Sequence, residues 1–175
     1  MPRDLSSGGL HRDATDEDFL QEALRLCSLS KDPNTRVGAV IASPFNFVRA
    51  VGWNRFPKGL ACTPERLQDR DLKNRLIVHA ERAAITSAAS RGMPVNGCTL
   101  YLAATDDTGI VWGGCPCTAC TIEIIESGIE KIVSFEPKAV SKWKDDLEFA
   151  EGIMAECKIP VTYINPTKML TRDTI

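Results

Sequence analysis

Three cysteines fall within the six positions of "CPCTAC": Cys115, Cys117 and Cys120. Cys117 and Cys120 stand three residues apart where a helix is expected to begin, so their side chains share one face and can grip one ion. A helix N-terminus also stabilises the thiolate form that binds metal. Taken alone, the pair fits a thioredoxin-like dithiol or plain burial as well as it fits a metal site. His79 shifts the balance towards metal. The chain has two histidines, His11 in a polar N-terminal stretch and His79 at the start of a second expected helix, so a site needing imidazole falls to His79. One His and two Cys supply three zinc ligands and leave the fourth position open, the mark of a catalytic site. A structural zinc ribbon needs a further ligand pair, and the sequence offers none. Zn²⁺ with two thiolates and a neutral imidazole is formally neutral, and the two helix termini add positive potential, so a bound water can ionise far more readily than in bulk. Glu81, two residues after His79, does not share its helical face. It is a poor second ligand and better placed to take a proton from that water.

Helices must present these groups, and the pattern supplies them. Thr15 followed by Asp18 resembles a helix cap, with Phe19, Ala23, Leu26 and Cys27 on one face of the helix that follows. "VGAVIA" (37–42) and "FVRAVGW" (47–53) read as strands joined by a turn at "SPFN". A polar stretch from Asn54 to Arg75 carries a short helix after Pro64, and "HAERAAITSAAS" (79–90) is an Ala-rich helix closed by Gly92 and Pro94. Strands follow at 98–104, 131–136 and 161–165, with helices at 117–127 and 142–156 between them. The order argues for one sheet covered by helices on both faces, with the last three strands parallel. In such a sheet successive helices start at the same edge, so His79 and the cysteine pair can face one crevice. Residues 1–14 form an expected loose leader, and 15–175 a single domain.

Composition narrows the class further. A hydrophobic fraction of 43% with 25% charged residues is ordinary for a globular protein. There is neither an apolar run of membrane-spanning length nor an apolar secretory signal, so a cytoplasmic location is expected. Net charge is −2 and pI about 5.7, without the basic excess of a protein that holds long nucleic acid, which favours a small substrate. Seven cysteines, an odd number without a secretion signal, argue against a disulfide framework.

The combination His-x-Glu with Pro-Cys-x-x-Cys is the signature of zinc nucleobase deaminases. The chain resembles the cytidine/deoxycytidylate deaminase superfamily, and within it the deoxycytidylate deaminases. The likeness extends through "SKDPNTRVGAVI" (30–41), "GWN" (52–54), "FPKG" (56–59), "HAERAAI" (79–85), "GCTLYLA" (97–103) and "IIESGIEKIV" (124–133), in the family order. It implies a three-layer α/β/α fold on a central five-stranded mixed sheet, a homo-oligomer, and hydrolysis of deoxycytidylate (dCMP) to deoxyuridylate (dUMP) with release of ammonia. It further implies zinc on His79, Cys117 and Cys120, Glu81 as the proton carrier, backbone near Ala80 against the base edge, and Asn54 on the sugar. An Asn amide beyond a strand end can pair with a hydroxyl as donor and acceptor, although Asn is equally a turn-former.

Three departures stand out. Ala83 replaces the Asn of the family's "HAExNA"; Arg55 replaces the second glycine of "GYNG", in a loop linked in some members to nucleotide-triphosphate regulation; and "TDDTGIVWGG" (105–114) lengthens the approach to the cysteines. Trp112 in that insert is a candidate to stack on a pyrimidine or to pack the loop. The substrate phosphate needs cationic or amide donors. Arg36 is the first candidate, followed by Lys31, Arg55 and Lys58. Arg66, Arg70, Lys73 and Arg75 alternate with acids and read as a solvated helix face. Cys115, lacking a partner at helical spacing, reads as a buried neighbour of the site. Other substrates within the superfamily are a modified deoxycytidylate, a nucleoside, guanine or a tRNA adenosine, the low pI counting against the last. An inactive binding module on the same fold would have lost Glu81 or a ligand, and neither is lost.

Overall fold

The computed structural model describes residues 13–138 and 143–170. Residues 1–12 of the expected leader, with His11, lie outside the described residues, as does the expected start of the 142–156 helix.

The first helix, α1 (Asp16–Cys27), opens on a capping box: Thr15 Oγ1 accepts from Asp18 N–H, and the Asp18 carboxylate accepts from Thr15 N–H at 2.9 Å. Two of the orphan donors at the helix start are thereby satisfied. Two antiparallel strands follow, β1 (Arg36–Ala42) and β2 (Val48–Trp53), and Asn46 at φ 62° makes the turn between them. Two short helices, α2 (Pro64–Gln68) and α3 (Arg70–Leu76), take the place of the single one expected after Pro64. Then come α4 (Ala80–Ala89), β3 (Thr99–Thr105), β4 (Val111–Trp112), α5 (Thr118–Glu126), β5 (Lys131–Phe135), α6 (Lys144–Glu156), β6 (Val161–Ile164) and α7 (Pro166–Leu170).

The sheet runs β2-β1-β3-β5-β6, with β1 antiparallel to both neighbours and β3, β5 and β6 parallel. These are the five expected strands, in a mixed sheet. A sixth, β4, pairs two residues of the insert with β3. Side chains alternate across the sheet as strand geometry requires. Ala39, Ile41, Leu100, Leu102 and Ile132 pack with residues of α4, α5 and α6 on one face. Val40, Ala42, Tyr101, Ala103, Val133 and Phe135 pack against α1 on the other.

Glycines set the closeness of the helices. A Cβ on Gly38 would meet the Ala23 carbonyl oxygen at 1.9 Å, and one on Gly52 the Ala80 carbonyl oxygen at 2.3 Å. Thus α1 and α4 lie directly against the backbones of β1 and β2 on opposite faces. Among the described residues, no helix is long and apolar enough to cross a membrane.

Candidate metal centre and active site

Two local devices deliver His79. The Asn54 side chain continues the β1–β2 ladder beyond the strand ends: its Oδ1 accepts from Val37 N–H at 2.7 Å and its Nδ2 donates to Thr35 O at 2.8 Å. Arg55 and Val78 then exchange both backbone hydrogen bonds, at 3.1 and 2.8 Å. His79 follows immediately in the extended conformation of an N-cap, and α4 begins.

Cys117 occupies the corresponding N-cap position of α5, with no side-chain capping bond, and Cys120 lies in its first turn. The run before it is held on β5. Gly113 N–H donates to Glu136 O, Gly114 N–H donates to Ser134 Oγ at 2.9 Å, and a Cβ on Gly113 would meet that Oγ at 2.2 Å. Gly113 therefore permits a close approach that any larger residue would block, while Gly114, at φ 127°, takes a backbone conformation that favours glycine.

Between the two helix starts, His79 Nδ1 lies 3.5 Å from Cys117 Sγ and 3.4 Å from Cys120 Sγ, and all three ligand atoms fall within 4.8 Å of one another. Nitrogen and sulfur ligands of one tetrahedral zinc, at their usual bond lengths, are about 3.6 Å apart. The donor set and its spacing fit zinc, and the exposed side of His79 leaves solvent access. The Cys120 thiol and the His79 imidazole hold the Cys117 thiol well below the usual range. The same sulfur–sulfur hydrogen bond, with burial, pushes Cys120 up. His79 is raised chiefly by its hydrogen bond with Cys117.

Glu81 is buried in the first turn of α4. Burial raises its carboxyl above the ordinary carboxylate range, with the nearby His79 opposing. A carboxyl that accepts and returns protons near neutral pH needs such a shift. Ala80, between His79 and Glu81, is fully buried with its carbonyl oxygen against Gly52. Asn54 is buried too, and its amide keeps one N–H and one lone pair beyond the two bonds to β1. Arg36 Nε reaches the Asp32 carbonyl oxygen at 3.5 Å.

Several supporting groups were not singled out in the sequence. Arg82 and Glu123 form a two-pronged ion pair, Nε–Oε2 2.9 Å and Nη2–Oε1 2.7 Å, tying α4 to α5 one turn from the ligands. Their positions, three residues beyond His79 and Cys120, place each on a ligand's helical face, a signal that was available. Asp146 of α6 accepts from Thr118 N–H at 3.1 Å and from Thr118 Oγ1 at 2.8 Å. It thus caps α5 next to Cys117, which nothing in the spacing announces.

Lys73 does not lie on a solvated face. It is buried, with its ammonium 3.0 Å from Asp32 Oδ1, which also accepts from Asn34 and Thr35 N–H. In the insert, Asp106 caps its own turn and pairs with Lys138, whose ammonium sits 3.6 Å over the Trp112 ring. Lys138 and the turn donors hold the Asp106 carboxyl well below the usual range. Trp112 therefore packs the loop through one face of its ring. Cys115 is buried against Met154, and burial pushes its thiol up to about 12.

Comparison with known proteins agrees with this geometry. The family described as the cytidine and deoxycytidylate deaminase zinc-binding region matches residues 13–136, well over half the chain, and the chain belongs to that family. It is a zinc-dependent hydrolytic deaminase. An uncharacterized deaminase in the luxG 3′ region of Aliivibrio fischeri is 29% identical over 83% of this chain and 90% of its own length. The deoxycytidylate deaminase of Homo sapiens is 32% identical over 70% of this chain and 65% of its own. The chain thus spans just under two thirds of that relative. A crystal structure of the dCMP deaminase of cyanophage S-TIM5, in complex with dCMP and dUMP, shares the fold with a TM-score of 0.62. It is 20% identical, over 85% of this chain and 95% of that one.

Proposed function

We propose that this chain converts deoxycytidylate to deoxyuridylate and ammonia, with His79, Cys117 and Cys120 holding zinc. The observation that carries deamination is the three-donor cluster at two facing helix starts, with the buried Glu81 carboxyl one residue beyond Ala80 on the same turn. Kinship with deoxycytidylate deaminases supports the choice of substrate. Zinc held there supplies the Lewis acidity that makes water a nucleophile near neutral pH.

Glu81 takes a proton from the attacking water as its oxygen bonds to C4 of the cytosine ring, and passes that proton to N3. It then carries the second proton to the exocyclic nitrogen. The C4–N bond breaks, ammonia departs and the C4 carbonyl forms. Backbone groups at Ala80 hold the base edge, and the spare N–H and lone pair of Asn54 meet a sugar hydroxyl. A homo-oligomer belongs to the same proposal, and exposed Ile122 and Phe149 on the packed pair α5 and α6 support it.

The test is ammonia release from dCMP, deoxycytidine, dCTP and guanine, with zinc measured on the same sample. The expected result is about one zinc per chain and turnover highest with dCMP. Glu81→Gln should keep the zinc and lose at least about 100-fold in kcat. Higher turnover of guanine, or a Glu81→Gln enzyme within twofold of the parent, would overturn the proposal.

A further inference from the structure

Beside the candidate active site lies a cavity of about 150 Å³, between the loop from α1 to β1, the end of β2 and the α2–α3 segment. Trp53, Phe56, Leu60, Leu67 and Ile77 give it apolar walls. Four polar residues also line it: Lys31, Asp32, Asn54 and Arg55. Two of these have their main partners within the fold. Asp32 is neutralised by buried Lys73 and accepts from the Asn34 and Thr35 N–H groups. Asn54 is stapled to β1 through both ends of its amide.

The two cations are different. Arg55 makes one side-chain bond, from Nη1 to the Phe56 carbonyl oxygen at 3.3 Å, leaving four of its five N–H donors uncommitted. Lys31 has no hydrogen-bond or ion-pair partner among the described residues. The cavity is therefore bordered by two cations, half-buried Arg55 and exposed Lys31, beside apolar walls, which is the chemistry of an anion site, above all for a phosphate ester.

Its position says which phosphate. Arg55 pairs through its backbone with Val78, the residue before His79. One strand spacing and one Cα step put the Arg55 backbone within about 10 Å of His79. Asn54, the candidate sugar contact, lines the same cavity. Arg55 follows Asn54 directly in the chain, so one residue step separates the candidate sugar contact from the cation. Arg36, the first candidate for the phosphate, is absent from the lining.

We infer that Arg55, assisted by Lys31, binds the 5′-phosphate of the substrate and is the residue by which this chain selects a nucleotide over a nucleoside. The inference rests on the proposed function and adds a residue that occupies a glycine position in the proteins this chain resembles. Arg55 follows the strand and contributes to the ladder only through its backbone, so Arg55→Gly keeps the local fold.

The experiment measures kcat/KM for dCMP and for deoxycytidine in the zinc-loaded parent, Arg55→Gly, Arg55→Lys and Lys31→Gln. Removing a charge-assisted phosphate contact should lower kcat/KM for dCMP about 10- to 100-fold in Arg55→Gly, with deoxycytidine within twofold of the parent. Arg55→Lys should recover part of the loss, and Lys31→Gln should lose less than Arg55→Gly. Inorganic phosphate should compete with dCMP in the parent and much more weakly in Arg55→Gly. Equal losses for nucleotide and nucleoside, or no loss for either, would overturn the assignment. So would phosphate that binds in an Arg55-dependent way without raising the KM for dCMP, since that marks a separate effector site. A parent that deaminates another amino base but not dCMP sinks the functional reading instead. In that case calorimetry of inorganic phosphate on the parent and Arg55→Gly decides the anion site: heat lost in the variant upholds it, and equal heats reject it.

Discussion

Replacing Lys73 by Met should destabilise the protein far more than a change on a charged surface helix. The ammonium and the Asp32 carboxylate are 8% and 7% exposed and 3.0 Å apart. At an effective dielectric of 20 that separation corresponds to an attraction of about 5 kcal/mol, most of it offset by the desolvation of both charges. Deleting one partner removes the attraction and leaves the other charge buried, at a cost of about 3–5 kcal/mol. Because Asp32 Oδ1 keeps the Asn34 and Thr35 N–H groups, Lys73→Met belongs at the lower end, near 3 kcal/mol. For a chain of this size that is a fall in Tm of about 10 °C. Asp32→Asn preserves an acceptor for the two backbone donors but strands the ammonium, and should cost at least as much. The double variant Asp32→Asn, Lys73→Met has no buried charge and should return to within about 1–2 kcal/mol of the parent. Urea unfolding of all four proteins, with zinc held constant, gives the cycle. A Lys73→Met protein within about 1 kcal/mol of the parent would refute the burial argument. A double variant as unstable as the sum of the two singles would refute the pairing.

Two further outcomes concern the site. Gly52→Ala places a Cβ 2.3 Å from the Ala80 oxygen and 2.4 Å from the Ala84 nitrogen, both helix backbone, so α4 must move off the sheet. The expected cost is about 1–3 kcal/mol of stability, with loss of zinc and a fall in kcat towards about 100-fold, because His79 and Glu81 move with the helix. Normal zinc stoichiometry and kcat in that variant would show that α4 is not held by this contact. The second outcome is the pH profile. Glu81 must be ionised to take a proton, and burial raises its pKa, so kcat/KM should fall on acidification at a pH above the ordinary carboxylate value of about 4.3. An acid limb at or below that value would contradict a buried Glu81 as the base.

The sequence alone marked out the main elements and the candidate metal ligands because both follow from short-range regularities. Strand alternation and helical periodicity place apolar residues, and the spacings within His-x-Glu and Cys-x-x-Cys place functional groups on single turns. The five main strands, α1, α4, α5 and the parallel pairing of β3, β5 and β6 were all legible in that way. The two-residue strand β4 and the five-residue α7 carry too little pattern to be read. Tertiary structure decided what each polar residue does. Asn54 carries the same amide whether it meets solvent, sugar or backbone, and only the meeting of two strand ends commits it to Thr35 and Val37. Lys73 sits among charges in the chain, yet folding turns it alone onto an aspartate 41 residues away. Asp146 caps the helix of Cys117 from 28 residues on, and Lys138 covers Trp112 from a loop beyond β5. Periodicity tells which side of an element faces the core. A charge or an amide finds its partner through space, and the pairing exists only once the sheet has brought distant segments within hydrogen-bond reach.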